Sequence, residues 1–371
     1  MASKAAKKTA AEPPSIESLR ARMDEVSIKI LRMLNLRASI AIEIGRLKHT
    51  DGALVYQPGR EREVIERMIA ENPGPLTTDQ VEHIYSEIIS ACRGLEHTPR
   101  VAFLGPEHTY SHEAAQARFG ASIDFVPLPS FAAVFQAIEN GRADFGVVPV
   151  ENTTEGQVGL TLDLLIDTPL LIIGEILQPV RHALLSRDGD RSKIRRIVSH
   201  QQSLGQCRNY LSTNFPQLET EAVVSNALAA QRAAEDSSLA AIASRAASAA
   251  YGLRVIAENI QDIASNTTRF LVMAAKPVDR TSRDKTTALF AVADRVGALN
   301  QALAAFARNG INISKIESRP MRSRPWEYLF FVDLAGNRED PKLKRALEAL
   351  SRKALFLKVL GSYPEGRPAS V

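Results

Sequence analysis

The chain contains 371 residues, of which 45% are hydrophobic and 24% are charged, and its formal net charge is +4. This composition is ordinary for a soluble globular protein, and the length favours two or three domains over one core. Basic residues are not interleaved with aromatic residues, and no apolar run approaches the length that spans a membrane. We therefore expect neither a nucleic-acid partner nor a membrane protein.

Residues 1–14 form an Ala/Lys-rich tail that lacks the apolar core of a signal peptide, so we expect this tail to be disordered. The two cysteines, Cys92 and Cys207, fall in different predicted domains and lack metal-binding spacing. They are expected to be reduced thiols in a cytoplasmic protein.

Residues 15–97 are predicted to form an all-helical domain. From Ile16 to Lys48 there is no proline, and apolar residues recur at helical spacing. This first helix is long for so small a domain, which indicates that it pairs with a second subunit. A second helix is predicted to start near Pro58, and a third, capped within the segment Leu76–Asp79, is predicted to end near Glu96.

Basic residues of the first helix lie on two faces. Arg37 and Lys48 are 11 positions apart, which at about 100° per residue puts them within about 20° of one face. Arg20 lies roughly a quarter-turn away from them. Periodicity alone is also compatible with solvated surface charges.

Three motifs of this segment resemble the all-helical chorismate mutase domain: LRARMDEV, LNLRASIAIEIGRLK and VYQPGRERE. The resemblance implies three helices in an intertwined dimer, where each active site takes an arginine, here Arg20, from the partner. It implies that catalysis holds a folded substrate conformer and stabilises charge on the breaking ether oxygen through Arg37, Lys48 and Glu96. The implied chorismate-binding residues are Arg20, Arg37, Lys48, Gln57, Arg60, Glu61, Cys92 and Glu96.

Gln57 stands where some members of this family have Asp, Cys92 stands where Ser is common, and Glu96 stands where many members have Gln. The carboxyl of Glu96 must be protonated to donate a hydrogen bond to the ether oxygen. We therefore expect mutase activity to fall as pH rises, unless burial keeps Glu96 protonated, and we expect Glu96→Gln to change that pH profile.

Residues 100–276 alternate predicted strands and helices, which indicates an α/β domain. Polar residues gather where strands end and helices begin, the usual ligand position in open α/β sheets. Thr109, Ser111, Thr153 and Thr154 lie near predicted helix N-termini, so they fit both capping roles and an anion site.

Four stretches resemble prephenate dehydratase: VAFLGPEHTYSHEAA, VVPVENTTEGQVGLTLDLL, VSHQQSLGQC and SNTTRFLVM. The resemblance implies a two-lobed α/β fold like that of periplasmic binding proteins. It also implies an essential threonine, here Thr268, whose hydroxyl donates a hydrogen bond to the leaving group. The implied prephenate-binding residues are Thr109, Ser111, Glu151, Asn152, Thr153, Thr154, Gln202, Ser225, Thr268 and Arg269.

Some residues of these stretches have alternative roles or depart from the family pattern. Arg269 fits a structural ion pair as well as a carboxylate contact, and His200 is expected to be structural. His108 stands where glycine is common, and Asn226 stands where threonine is usual.

Residues 285–364 are predicted to fold in the order βαββαβ, with a turn at Glu317–Pro320. The segments DRVGALNQALAAFARNGINI and KIESRPMRSRPWEYLFFVDLAG resemble the ACT regulatory domain attached to prephenate dehydratases. The resemblance implies a phenylalanine site that combines one turn with a motif from the neighbouring subunit. Its implied residues are Gly297, Ala298 and Leu299 in the turn, and Glu317, Ser318, Arg319 and Pro320 in the motif.

Together the segments resemble the bifunctional chorismate mutase/prephenate dehydratase family. This implies an isomerase and hydro-lyase that converts chorismate to prephenate and then to phenylpyruvate, without metal or organic cofactor, under feedback inhibition by phenylalanine. A homodimer or higher homo-oligomer is expected. Three alternatives remain: a dehydratase with a non-catalytic helical arm, a non-catalytic sensor of aromatic metabolites, and a preference for arogenate.

Overall fold

The computed structural model describes residues 15–51, 56–96, 98–320 and 328–366, except for the side chains at 48–51 and 96. The predicted roles of the Lys48 and Glu96 side chains therefore lie outside the described residues. Within the described ranges, no helix combines the length and the apolar character needed to cross a bilayer.

Three helices form the N-terminal domain: α1 (Ile16–Asp51), α2 (Pro58–Ala70) and α3 (Thr78–Glu96). The start of α3 is fixed by a capping box, in which the Thr77 hydroxyl accepts from the Gln80 amide at 3.3 Å and the Gln80 side chain accepts from the Thr77 amide at 3.0 Å. The long first helix predicted from periodicity is confirmed.

α1 leaves much of its apolar surface uncovered within the chain. Twelve of its large hydrophobic side chains are exposed: Ile16, Leu19, Met23, Val26, Ile28, Ile30, Leu31, Met33, Leu36, Ile40, Ile44 and Leu47. An exposed apolar surface of this extent marks an interaction site. We call it the α1 face.

The α/β part has two lobes. Lobe one has the sheet order β2-β1-β3-β11-β5, with β4 beside β3. Its strands are β1 (Arg100–Leu104), β2 (Asp124–Leu128), β3 (Phe145–Asn152), β4 (Gly156–Gln157), β5 (Leu171–Pro179) and β11 (Thr267–Ala274). Its helices are α4 (Tyr110–Phe119), α5 (Phe131–Glu139) and α6 (Gly159–Asp167).

Lobe two has the sheet order β10-β6-β9-β7-β8. Its strands are β6 (Ala183–Ser186), β7 (Arg196–His200), β8 (Glu219–Val223), β9 (Leu239–Ala243) and β10 (Arg254–Glu258). Its helices are α7 (Gln201–Gln206), α8 (Arg208–Asn214), α9 (Asn226–Glu235) and α10 (Ala246–Tyr251). The chain crosses between lobes twice, from β5 to β6 and from β10 to β11, so a cleft lies between them.

The C-terminal part has the predicted order βαββαβ, with the sheet order β13-β14-β12-β15. Its elements are β12 (Asp284–Ala291), α11 (Ala298–Arg308), β13 (Ile313–Pro320), β14 (Tyr328–Ala335), α12 (Pro341–Ser351) and β15 (Phe356–Pro364). The turn predicted at Glu317–Pro320 is wrong, because these residues extend β13 and pair with β14. Pro320 is tolerated because it ends an edge strand, where a missing amide donor costs little.

The three parts share buried surfaces. One core combines lobe-one residues such as Ile172 and Leu271 with Leu289 and Phe331 of the C-terminal sheet. On the other side, Tyr56 inserts its ring from the start of α2 into lobe one and is 1% exposed. Each part therefore contributes residues to the packing of its neighbour.

Candidate active sites

The first candidate site, which we call the helical cavity, measures about 410 Å³ and lies between α1, α2 and α3. It is lined by Arg37, Ile40, Ala41, Ile44, Gln57, Arg60, Glu61, Val64, Ile89, Cys92 and Arg93. Five of the predicted chorismate-binding residues are in this set: Arg37, Gln57, Arg60, Glu61 and Cys92. Arg20 is not among them, because it is exposed on a distant part of α1.

Charge and shape in the helical cavity suit a small anion with an apolar ring. Arg37 donates to the Ile88 carbonyl at 3.5 Å, and Arg60 pairs with Glu63 at 3.1 Å while remaining mostly exposed. Arg60 lies in the first turn of α2, whose positive end also favours an anion. Ile40, Ile44 and Val64 supply the apolar wall.

Sequence reasoning missed Arg93 in this cavity. Its guanidinium pairs with Glu61 at 2.6 Å, and the side chain is only 4% exposed. One signal could have found it: Arg93 lies four residues after Ile89, so the two share a face of α3.

The second candidate site, the interlobe cleft, measures about 230 Å³. It is lined by Leu104, Gly105, His108, Thr109, Tyr110, Ser111, Val180, His182, His200, Gln202, Ser203, Gln206, Val224, Ser225, Asn226, Ser244 and Thr268. Five of the predicted prephenate-binding residues are in this set: Thr109, Ser111, Gln202, Ser225 and Thr268.

Two helices point their N-termini at the interlobe cleft. Thr109 caps α4 by accepting from the His112 amide at 3.4 Å, and Ser225 caps α9 by accepting from the Leu228 amide at 3.1 Å. Both hydroxyls therefore cap helices while lining the cleft. The partial positive charge at these ends makes the cleft suitable for a carboxylate.

Thr268 is held at the cleft by an asparagine. Asn152 donates from its side-chain amide to the Thr268 hydroxyl oxygen at 2.9 Å, and its own oxygen accepts from the Thr154 hydroxyl at 2.6 Å. Among the described residues, no acceptor takes the Thr268 hydroxyl proton. The arrangement leaves that proton for a molecule in the cleft.

The structure does not bring every predicted prephenate-binding residue to the cleft lining. Asn152, Thr153 and Thr154 form the turn behind Thr268, where the Thr153 hydroxyl accepts from the Thr267 amide at 3.0 Å. Glu151 pairs instead with Lys315 of β13 at 2.5 Å. These residues support the site or link it to the C-terminal part.

Arg269 is not at the cleft, and the structural ion pair is the role observed. It pairs with Glu175 at 2.7 Å and Asp333 at 2.6 Å, and donates to the Tyr363 hydroxyl at 3.1 Å. Successive residues of a strand point to opposite faces, so Thr268 faces the cleft while Arg269 faces the C-terminal sheet.

Sequence reasoning also missed a series of hydrogen-bonded side chains in the wall of the interlobe cleft. The Tyr110 hydroxyl lies 2.9 Å from Nδ1 of His182, and Nε2 of His182 lies 2.9 Å from the Gln206 side-chain oxygen. Burial lowers the pKa of His182 and raises the pKa of Tyr110 well above its usual value, so both are neutral at pH 7. Gln206 lies one helical turn after Gln202, which was the available signal.

The predicted phenylalanine-site segments lie at one end of the C-terminal sheet. Gly297 directly precedes α11 at its N-cap position with a φ of 77°, which glycine adopts without strain, and Ala298 and Leu299 begin the helix. Arg319 and the end of β12 both pair with Leu329, so they lie at the same sheet end. Arg319 also pairs with Asp163 of α6 at 2.7 Å.

Three family models match the chain: Chorismate mutase type II over residues 19–97, Prephenate dehydratase over 101–278 and ACT domain over 286–352. The bifunctional chorismate mutase/prephenate dehydratase of Aquifex aeolicus is 43% identical over 354 residues, which cover 94% of this chain and 98% of that protein. This chain belongs to that family. The predicted fold, an all-α part, a two-lobed α/β part and an ACT domain, is confirmed.

Two solved structures are similar to most of this chain. A prephenate dehydratase from Arthrobacter aurescens, solved in complex with L-Phe, is 34% identical with a TM-score of 0.67, and the match covers 73% of this chain and 92% of that one. The quorum quenching acylase GqqA is 31% identical with a TM-score of 0.66, covering 72% and 98%.

Proposed function

We infer that this member of the family is a bifunctional enzyme that rearranges chorismate to prephenate and converts prephenate to phenylpyruvate. The observation that carries the inference is the presence in one chain of two separate cavities, each lined by residues of the matching family signature. Residues 15–97, 100–276 and 285–364 would be the mutase, dehydratase and regulatory domains. Two buried free cysteines fit a reducing compartment such as the cytoplasm.

The helical cavity would catalyse an intramolecular rearrangement that needs no covalent intermediate. Arg37 would hold one carboxylate of chorismate, and Glu61 would accept a hydrogen bond from the substrate hydroxyl. Lys48 and Glu96 would stabilise charge on the breaking ether oxygen. Holding the folded conformer and stabilising the developing charge lower the barrier together.

The second arginine of the mutase site would come from a partner chain. Arg20 is exposed on α1 next to Leu19 of the α1 face, and it does not line the cavity of its own chain. A second copy that covers the α1 face would bury this apolar surface, and Arg20 would then reach the partner's cavity. We therefore propose a homodimer built on α1.

The interlobe cleft would hold the prephenate dianion at the N-termini of α4 and α9 and at the Thr109, Ser111 and Ser225 hydroxyls. Thr268 would donate its hydroxyl proton in a hydrogen bond to the departing hydroxyl group, since threonine is too weak an acid to protonate it fully. The ring carboxylate then leaves as carbon dioxide, and the ring becomes aromatic. The prephenate dianion therefore gives the phenylpyruvate anion, carbon dioxide and hydroxide, and the hydroxide becomes water by taking a proton from solvent.

The ACT domain would bind phenylalanine at the turn after Gly297 and at Glu317–Pro320. Inhibition requires that phenylalanine bind a low-activity state more tightly than the active state. Arg319 and Glu151 belong to contacts between the ACT domain and lobe one, so a change at this site can alter how the lobe is held.

One assay tests the whole proposal. Purified protein is given chorismate, and chorismate loss and phenylpyruvate appearance are followed with and without phenylalanine. We expect both signals, with phenylpyruvate suppressed by phenylalanine. If chorismate persists while added prephenate is consumed, the helical domain is a non-catalytic arm. If neither substrate is turned over, the protein is a non-catalytic sensor of aromatic metabolites.

The Thr268→Val variant tests the dehydratase step. Removing the hydroxyl should lower prephenate turnover on the order of 10²–10⁴-fold and leave chorismate turnover unchanged. Thr267→Val is the matched control, because the Thr267 hydroxyl donates to the Ser265 carbonyl at 3.3 Å and Thr267 does not line the interlobe cleft. Equal activities in the two variants would contradict the assigned role.

A further inference from the structure

Arg93 is a buried cation shared by two domains. On α3 it lines the helical cavity, and one of its guanidinium nitrogens pairs with Glu61 at 2.6 Å. The other terminal nitrogen donates to the backbone carbonyl of Phe119, the last residue of α4 in lobe one. The Ser90 hydroxyl donates to the same carbonyl at 2.8 Å.

The position of the Arg93 guanidinium is fixed by Phe119 of lobe one together with Tyr56, which precedes α2 and packs into lobe one. Its central carbon lies 5.1 Å from the Tyr56 ring centre and 5.8 Å from the Phe119 ring centre. Tyr56 in turn packs at 4.7 Å against Phe119 and 5.3 Å against Phe145. A planar cation held by aromatic rings and by a carbonyl acceptor has little freedom to turn.

The Glu61 side chain has open space on two sides, so its carboxylate needs a partner that fixes its direction. A second cavity of about 200 Å³ lies where α2, α3 and α4 meet residues 364–366, and we call it the junction cavity. Glu61 and Arg93 line both the junction cavity and the helical cavity. The ion pair is therefore the wall between them, and without Arg93 the Glu61 carboxylate could rotate into the junction cavity.

We propose that Arg93 is a positioning residue of the mutase: it keeps the Glu61 carboxylate turned toward the helical cavity, and the dehydratase domain keeps Arg93 in place. This rests on the proposed function, in which Glu61 accepts from the chorismate hydroxyl. One domain thus completes the active site of the other through the backbone carbonyl and the ring of Phe119.

A double-mutant cycle on the full chain tests the proposal. Arg93→Met should reduce mutase kcat/KM on the order of 10–100-fold, because a charge-assisted hydrogen bond positions Glu61. The loss should appear mainly in KM, since the hydroxyl held by Glu61 does not react and is bound equally in substrate and transition state. In a Glu61→Gln background, Arg93→Met should lower mutase kcat/KM little further, because the ion pair between residues 61 and 93 is already absent.

Two further variants separate positioning from folding. Arg93→Lys keeps a cation but not the planar fork, so it should recover part of the lost mutase efficiency. Arg62→Met is the matched control: Arg62 lines the junction cavity, pairs with Glu66 at 3.1 Å and does not line the helical cavity. Its mutase KM should equal that of the unmodified protein, and turnover of added prephenate reports folding in every variant.

The outcomes are distinct. An unmodified protein without chorismate turnover refutes the proposed function itself. An active protein in which the Arg93→Met and Glu61→Gln losses multiply independently refutes the positioning role. A loss confined to kcat, with KM unchanged and no recovery in Arg93→Lys, refutes it as well.

Discussion

His108 adopts a φ of 61°, a region that side chains other than glycine rarely occupy. The residue lines the interlobe cleft from lobe one, and its ring meets the Tyr251 ring of lobe two edge-on at 5.6 Å. Backbone strain of this kind persists where the surroundings hold it, which occurs most often at functional sites. The cross-lobe ring contact accounts for a histidine at this strained position.

We predict that His108→Gly raises the KM for prephenate by about 2–10-fold, because an aromatic contact that helps to close the lobes is lost. The free energy of unfolding should stay equal or rise by up to about 1 kcal/mol, since strain is released while glycine gains freedom in the unfolded chain. Steady-state kinetics and denaturant titration measure the two effects.

Asn259→Gly is the control for His108→Gly, because Asn259 is the other non-glycine residue with positive φ, at 55°, in the described ranges. It does not line the interlobe cleft and should leave KM unchanged. An unchanged KM in His108→Gly as well would mean that the cross-lobe contact plays no part in binding.

We predict that the free energy of unfolding depends on pH through His182. Burial lowers its pKa below the usual 6.5, so the unfolded chain binds the proton more readily than the folded one. Neutral His182 therefore contributes to the free energy of unfolding above about pH 6.5. This contribution is lost as pH falls through the pKa that His182 has in the folded protein. Between about pH 7.5 and about pH 5.5, His182→Gln should lose less unfolding free energy than the unmodified protein.

Denaturant titrations at both pH values measure this difference. Glutamine can keep hydrogen bonds to Tyr110 and Gln206, so the variant isolates the titration. His83→Gln, at an exposed position of α3, should follow the unmodified protein. Parallel pH dependence in all three proteins would exclude His182 as the source.

At the scale of elements, β11 serves two domains with its two faces. Thr268 faces the interlobe cleft, while Arg269 lies between Glu175 and Asp333 and is mostly buried. Arg269→Met should lower the free energy of unfolding by about 3 kcal/mol, because it leaves buried carboxylates without their cation. Lys285, 2.7 Å from Glu175, still compensates part of that charge.

Thermal or denaturant unfolding measures the Arg269→Met effect. The matched control is Arg196→Met, which removes exposed ion pairs with Glu219 and Glu221 and should cost about 1 kcal/mol or less. Equal losses in the two variants would show that the Arg269 cluster stabilises no more than a surface pair.

The same elements show how far the sequence could predict the structure. Periodicity sufficed for α1 and for the βαββαβ order, because each depends on its own apolar face. It failed at Glu317–Pro320, where pairing with β14 overrides the turn tendency of a Ser-Arg-Pro segment. Strand alternation applied to Thr268 and Arg269 would have separated their roles beforehand.

The site residues also divide into those that the sequence predicted and those that it did not. Motif residues such as Arg37, Gln57 and Thr109 line cavities, because family spacing fixes them within one domain. Arg93 and His182 were missed, because their roles arise where two domains or two lobes meet and helical spacing alone gave only an indirect signal. Contacts between distant segments have no local pattern in the sequence.

At the scale of the whole molecule, the α1 face and Arg20 lead to one further prediction. If each mutase site takes Arg37 from one chain and Arg20 from its partner, Arg20→Ala and Arg37→Ala homodimers each lack an arginine in both sites. A heterodimer of the two has one complete site and one that lacks both arginines. Mixing the two variants can therefore restore mutase activity if the site is shared between chains, and cannot restore it if each chain forms its own complete site.

Mixing and subunit exchange of the two inactive variants should therefore restore about a quarter of the unmodified mutase activity, because half of the dimers are mixed and half of their sites are complete. Chorismate turnover before and after exchange measures this, and dehydratase activity should stay constant throughout. Arg22→Ala, at an exposed position of α1, is the control and should be active alone. If exchange restores no activity, each chain serves its own cavity, and the α1 face then joins copies without completing the site.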